Sequence, residues 1–448
     1  MRKILLLLTA VIALSSCGED DDFGGAALQS VPFAVNLKYD DETFNGQAVA
    51  QGNVILKNTN TGDTYTLETN ASGVANFTEI LPGTYDVTAT KTLTNTEFNA
   101  VFGYMPSTES VTFNGAQGQV LVNANVSATT IELKSARIGD LVIKQISYAG
   151  SHATQGAVFR DQFIEIYNNS NEIIYADGLY IAQLYGKTST TTSSFTLSNG
   201  QFDWSQSLNM TSGSSANTNY VYADYVFKIP GNGTQYPIQP GESIVLAQSA
   251  INHKAPLTSN TGTPITIQNP DLTVDLSTAD FEAYLGDFRV SLGETVYLYD
   301  IQNPAVPDME IAYWGREGFA NNNKDMILDS NGRDSFVIFR ADNFSTYPNF
   351  TDPSVTTVIN TSTYFVQIPI STIIDGVDLQ HYSPNSQRPK MLPSQIDASF
   401  INTDAAYNSQ AVIRKTKTTV DGRIILEDTN NSANDFVKRK AEPRGFQN

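Results

Sequence analysis

VILKNTNTGDTYTLETNASGVANFTEILPGTYDVTA, residues 54–89, decides how this chain is read. Val54 and Leu56 alternate with other residues, as one face of a half-buried strand requires. Asn58-Thr59-Asn60-Thr61-Gly62-Asp63 is a turn cluster, and Tyr65 and Leu67 resume the alternation. A second polar cluster with Gly73 precedes Val74 and Phe77. Leu81-Pro82-Gly83 closes the unit: proline fixes φ at the second turn position, and Gly83 can take the positive φ of a type II turn. Working outward, Phe33, Val35, Leu37 and Tyr39 alternate upstream. Val111/Phe113, Val120/Val122/Ala124/Val126 and Ile131/Leu133 do so downstream. Short strands every 8–12 residues, separated by turns, predict an all-β sandwich over residues 31–137.

The same stretch resembles the carboxypeptidase-regulatory-like family, whose fold is a transthyretin-like sandwich. The resemblance rests on the Val54-Leu56 strand, on Asn70 and Gly73 before Phe77, and on Leu81-Pro82-Gly83-x-Tyr85-x-Val87. It implies a fold rather than a chemistry: such modules serve as spacers, stalks and occasional binding platforms.

Residues 138–448 predict a second, larger β unit. Strands are expected in the apolar runs LVIKQISY from Leu141, FIEIYN from Phe163, GLYI from Gly178, SIVLA from Ser243, VSLGETVYLYD from Val290 and MEIAYW from Met309. In that order they resemble a lamin-tail-type domain, an Ig-like sandwich. Arg414 in its strand, the amide-rich turn from Asp428 to Asp435 and the final Pro443 resemble the closing segment of bacterial examples. Such a domain needs little more than a hundred residues, so three insertions are expected, near 185–220, 249–288 and 341–407. A short helix is expected at residues 278–285, where Thr278 precedes acidic first-turn residues. Long loops on a rigid sandwich are where binding is expected.

The N-terminus sets the expected location. Arg2 and Lys3 precede an uncharged run, ILLLLTAVIAL at 4–14, too short for a bilayer span but suited to a signal peptide. Leu14-Ser15-Ser16-Cys17 then resembles the bacterial lipobox, which implies a signal peptide at 1–17 and acylation of Cys17. Residues 18–30 are an acidic tether: Glu19-Asp20-Asp21-Asp22 resembles the export signal of Bacteroidota-type surface lipoproteins. An outer-membrane, lipid-anchored, surface-exposed protein is expected, with a periplasm-facing lipoprotein or an ordinary secretory signal as alternatives. The chain as a whole resembles an uncharacterised family of such lipoproteins.

Composition narrows the partners. Forty-six acids against 27 Lys and Arg give −19, and loss of Arg2 and Lys3 would give 25 − 46 = −21. Such a chain repels phosphate backbones, so nucleic acid is not an expected partner. Lys438-Arg439-Lys440 with Arg444 reads as a solvated tail. A single cysteine excludes an intrachain disulfide.

No enzyme motif emerges. His152, His253 and His381 are not paired at zinc spacing, and Gly-x-Ser-x-Gly is absent. No cofactor, metal or catalytic residue is expected. Residues 325–334 are the densest acidic-amide loop and could offer oxygen to calcium, or simply form an Asn-Gly turn. Trp204, Tyr220, Tyr222 and Tyr225 are the candidate binding residues, an exposed aromatic platform for a sugar or a porphyrin-like ligand, with core packing as the alternative. The expected function is a non-enzymatic binding or accessory lipoprotein, working with a TonB-dependent receptor or another surface protein. The alternatives are an adhesive or structural surface protein, and a hydrolase with an unrecognised carboxylate site.

Overall fold

The computed structural model describes residues 29–446 except 40–45, 103–109, 136–140, 171, 186–192, 316–323, 360–361 and 421. Cys17 and the tether as far as residue 28 lie outside the described residues. The fold is all-β, with few and short helices.

The first part builds seven strands: β1 (Val31–Tyr39), β2 (Asn53–Asn58), β3 (Thr64–Glu68), β4 (Val74–Ile80), β5 (Gly83–Thr94), β6 (Ser110–Val122) and β7 (Ala128–Ser135). Their order is β3-β2-β5-β6-β7-β1-β4. β7 runs parallel to β1 and pairs with β6 at Phe113 and Asn114, so it joins two layers. One cluster fills the space between them, from Phe33, Val35 and Leu37 of β1, Val54 and Leu56 of β2, Tyr85 and Val87 of β5, and Ile131 and Leu133 of β7. β1 alternates buried and half-buried positions through Tyr39, as its sequence predicts. Gly73 takes φ +76°, and the Asn70 carboxamide accepts from the Ser72 and Val74 amides, which makes the predicted turn. Gly83 differs from expectation. It opens β5 without a positive φ; its missing Cβ instead leaves room for the Asn58 side chain, 3.0 Å from where that atom would sit.

The sequence reading missed helix α1 (Asn95–Phe102). The Glu97 carboxylate accepts from the Thr94 amide at 2.8 Å, and the Thr94 hydroxyl accepts from the Glu97 amide at 3.3 Å. This Thr-x-x-Glu capping box starts a helix whose Phe98 fills the sandwich core.

The second part contains β8 (Leu141–Ser147), β9 (Phe163–Asn168), β10 (Tyr180–Leu184), β11 (Tyr220–Lys228), β12 (Ser243–Ala247), β13 (Glu310–Trp314), β14 (Ser335–Phe339), β15 (Asn349–Thr351), β16 (Tyr364–Pro369), β17 (Ile373–Val377), β18 (Gln410–Arg414) and β19 (Phe436–Lys440). One sheet runs β12-β9-β8-β18-β19, with the two-residue strand Phe281–Glu282 outside β12. The other runs β15-β16-β11-β10-β14-β17, and β13 also pairs with β11. Ile143, Ile164, Ile166, Leu246 and Val412 of the first sheet pack with Ile181, Phe227, Phe336, Ile338 and Val377 of the second.

Both outer faces are covered as well. Phe344, Met391 and Leu392 lie over Ala182, Ala223, Val337 and Val366. Val274, Leu276 and Ala279 lie over Phe163, Val245 and Ala247. The three insertions expected as long loops are packed layers, the first of them through Phe202, Trp204 and Ala216. For this reason β8, β9, β10 and β14 are buried at every position rather than at alternate ones.

Two further expectations are corrected. Residues 278–285 are not helical: Phe281–Glu282 pairs in parallel with Leu246 and Ala247, and helix α2 (Gly286–Ser291) starts after it. The strand expected from Val290 does not form, because Gly293 turns the chain at φ +80° and the Arg289 side chain donates to the Thr295 carbonyl at 2.8 Å.

Arg414 ties the two sheets together. It is fully buried in β18 and donates to the Ile143 carbonyl of β8 (3.0 Å), to Asp375 of β17 (2.6 Å), and to Asp428 and the Glu427 carbonyl (3.2 and 3.0 Å). Asp435 stands 3.5 Å away and the Phe436 ring lies beneath the guanidinium. The same Asp375 oxygen also accepts the Ile143 amide of β8 at 2.6 Å. Replacing Arg414 by Met should leave three carboxylates without their cation and cost about 3–5 kcal/mol. Chemical denaturation would read this as a large fall in midpoint, and an unchanged midpoint would contradict the role.

Candidate functional site

The four aromatic candidates do not form an exposed platform. Trp204 stacks on Tyr222 with centroids 4.0 Å apart, in a cluster with Phe202, Phe350 and Phe365. The Tyr222 hydroxyl donates to the Ala216 carbonyl at 3.0 Å. Tyr220 packs half-buried at the edge of that cluster. Tyr225 lies instead in the main core, stacked on Trp314 at 5.2 Å, and its hydroxyl bonds Gln183. A bulge at Asp224, where Gln183 pairs with Tyr225 and Leu184 with Ala223, separates the two environments. The rings pack the interior because the first insertion and β15–β16 fold over them.

The histidines each serve their own loop. His152 Nδ1 accepts from the Thr154 amide at 3.3 Å and His381 Nδ1 from the Ser383 amide at 2.9 Å. His253 is fully buried against the Ser249 carbonyl at 3.1 Å, and burial pushes its pKa down. In residues 325–334, Asp325 accepts from Met326 and Gln248, while Asp329 accepts from the Asn331 amide at 3.1 Å and from Arg333. Gly332 turns the chain at φ +74°. Among the described residues no group of three His, Cys, Asp or Glu side chains is arranged to hold a metal ion.

A set of buried acids holds the second insertion. Glu282 accepts the Ala250 and Asn303 amides at 2.8 and 2.7 Å, and Asp300 accepts the Leu285 amide at 3.0 Å. These carboxylates act as pins for backbone that no strand satisfies. Burial pushes the Glu282 carboxyl up to about 7. Burial, and then the charge of Asp325, push Asp300 up as well.

A cleft of about 430 Å³ lies beside β12. One wall is the second insertion, with Lys254, Thr273, Val274, Asp275, Leu276, Thr278 and Ala279. The other is the end of β19 at Lys440 and the strap after it, with Ala441, Glu442, Pro443 and Arg444. The insertion wall is fixed by its apolar underside and by the Thr273 hydroxyl, which donates to Asp161 at 2.5 Å.

The strap is fixed by a buried ion pair. Lys144 Nζ lies 2.8 Å from Glu165, with the two side chains 1% and 0% exposed. Burial lowers the pKa of Lys144, and Glu165 opposes that fall. Gln145 exchanges two bonds with the Glu442 backbone, at 2.8 and 3.0 Å. The Arg444 amide donates to Glu165 at 3.1 Å, and the Phe446 ring caps Lys144 Nζ at 3.7 Å. The Arg444 guanidinium then reaches the Ser243 and Thr278 carbonyls and Asp280, at 2.7, 3.2 and 2.7 Å. The sequence reading took these cations for a solvated tail. The available signal was four cations within residues 438–444 of an otherwise acidic chain.

Residues 239–443, which contain almost the whole cleft, match the model of the DUF4876 family, described as a protein of unknown function. Among solved structures the chain is similar to a DUF4876-family protein of Bacteroides thetaiotaomicron, with 26% identity and a TM-score of 0.53, covering 91% of this chain and 94% of that one. A candidate adhesin of Bacteroides ovatus aligns with 80% of this chain and 88% of its own, at 8% identity and a TM-score of 0.18. A candidate cell adhesion protein of Bacteroides eggerthii aligns with 48% and 80%, at 12% and 0.17. At such scores neither likeness bears on fold or role. No curated protein matches the chain.

The raised carboxyls make stability depend on pH. A folded-state pKa above the unfolded one means that the folded protein holds the proton more tightly. The stabilisation is complete at low pH and is lost as pH rises through the folded value, for Glu282 from the ordinary glutamate range to about 7. The melting temperature should therefore fall as pH is raised from about 5 to about 8. Asp300→Asn, which keeps that position neutral, should make the fall shallower.

Proposed function

We propose that this chain is a lipid-tethered, non-enzymatic binding protein at the outer-membrane surface. In this reading Cys17 carries the anchor, the acidic segment after it directs export, and the β1–β7 sandwich is a spacer. The strap-side cleft takes the ligand. The observation that carries the binding role is that cleft. It is formed by two fixed walls, and its lining includes Lys254 and Lys440, both exposed. Its volume falls within the range of small-ligand sites. An outer-membrane uptake receptor of the TonB-dependent class is the partner this role calls for.

Location is testable independently of any ligand. Metabolic labelling with a palmitate analogue should mark the wild-type protein and leave Cys17→Ala unmarked and released from the membrane fraction. Added protease should digest the wild-type protein on intact cells. Equal labelling of both forms, or full protection until lysis, would overturn the surface-anchored role.

A further inference from the structure

We propose that a second recess, between the first and third insertions, binds a neutral sugar unit, either a free monosaccharide or the end of a glycan. Hydroxyl and carboxamide groups of its lining take the sugar hydroxyls, and Leu208, Pro348 and Val358 lie against the C–H faces of the ring. The recess shares no lining residue with the strap-side cleft, so the two sites stand or fall separately.

Two walls form the recess. Leu208, Asn209 and Thr211 come from the first insertion, and Pro348, β15 and Tyr364 from the third. β15 is the edge of its sheet, paired on one side with β16, and Phe350 anchors it in the aromatic cluster of Trp204 and Tyr222. Gln367 of β16 is buried and ties the walls together. Its amide donates to the Pro348 carbonyl at 2.8 Å, and its Nε2 donates to the Ser212 hydroxyl at 3.1 Å.

The lining selects the ligand. None of its nine residues is charged, although the chain carries −19 overall. An ion moved there from water would meet no counter-charge, so the ligand is neutral. Five of the nine carry a hydroxyl or a carboxamide: Asn209, Thr211, Asn349, Thr351 and Tyr364. None of the five side chains makes a hydrogen bond among the described residues, although other polar groups nearby are paired. Thr351 is the telling one. It is 2% exposed and its hydroxyl has no partner, a state that a bound polar group would relieve. Each of the five groups can both donate and accept, and so can a sugar hydroxyl. A peptide segment offers fewer such groups in the same space. About 260 Å³, below the range for drug-sized ligands, limits the occupant to a single ring.

The full-length protein in a zwitterionic detergent is titrated calorimetrically with D-glucose, D-galactose, D-mannose and N-acetyl-D-glucosamine, and with their methyl glycosides. D-glucuronate and N-acetylglycine amide serve as the charged and peptide-like comparisons. At least one neutral sugar should bind, at least about tenfold more tightly than either comparison. Retained binding of its methyl glycoside identifies a glycan end, and binding of the free sugar alone identifies a monosaccharide. Thr351→Val should lose about tenfold or more in affinity while its melting temperature holds or rises, because a methyl replaces an unpartnered hydroxyl. Thr351→Ser should keep most of the affinity. Should Thr351→Val melt early, Asn349→Ala on the exposed edge carries the test, with the same expected loss. No binding of any neutral sugar, equal or tighter binding of glucuronate or the peptide amide, or undiminished binding by the folded variants would each overturn the assignment.

Discussion

Arg414 is the interaction around which the larger sandwich is organised. Its guanidinium spends its donors on β8, on β17 and on the turn before β19, so three otherwise separate parts share one cation. A buried ion network of this kind does not outperform an apolar core of equal volume. It fixes which strands meet and at what height, because each partner is useless without the others. The Lys144–Glu165 pair does similar work one strand away. There the closing element is a ring, Phe446, rather than a second carboxylate.

The first sandwich was legible because one face of its strands is less buried than the other. Phe33, Val35, Leu37 and Tyr39 could be read directly as one face. The capping box of α1 was equally legible in Thr94 and Glu97 and was overlooked. In the second sandwich the runs from Leu141 and Phe163 were recognised as strands. Their complete burial removed the alternation that would have shown what covers them. Residues 278–285 mark where local preference fails. Thr278 and the acids after it favour a helix, but pairing of Phe281–Glu282 with β12 wins. Arg414, Asp428 and Asp435 were noted in the sequence as a closing motif, and the structure gives that spacing its physical meaning.

The candidate site was not legible, for a different reason. Its lining comes from near residue 254, from residues 273–279 and from residues 440–444, and no short motif spans them. Trp204 and Tyr222 attracted attention because aromatic rings are conspicuous in a sequence, yet they stack on each other in the interior. Lysines on a covering layer carry no such mark. Only the fold shows that Lys254 and Lys440 line one recess.

The distance along the chain between Arg414 and Ile143 has a kinetic meaning. Those two residues are separated by 271 positions, so the central sheet cannot close until a very long loop has been brought round. The first sandwich, assembled within about a hundred residues, has no such wait. Maturation is thus expected to be strongly staggered: an early compact half, followed by a slow half whose apolar strands stay uncovered and prone to association until the last partners arrive.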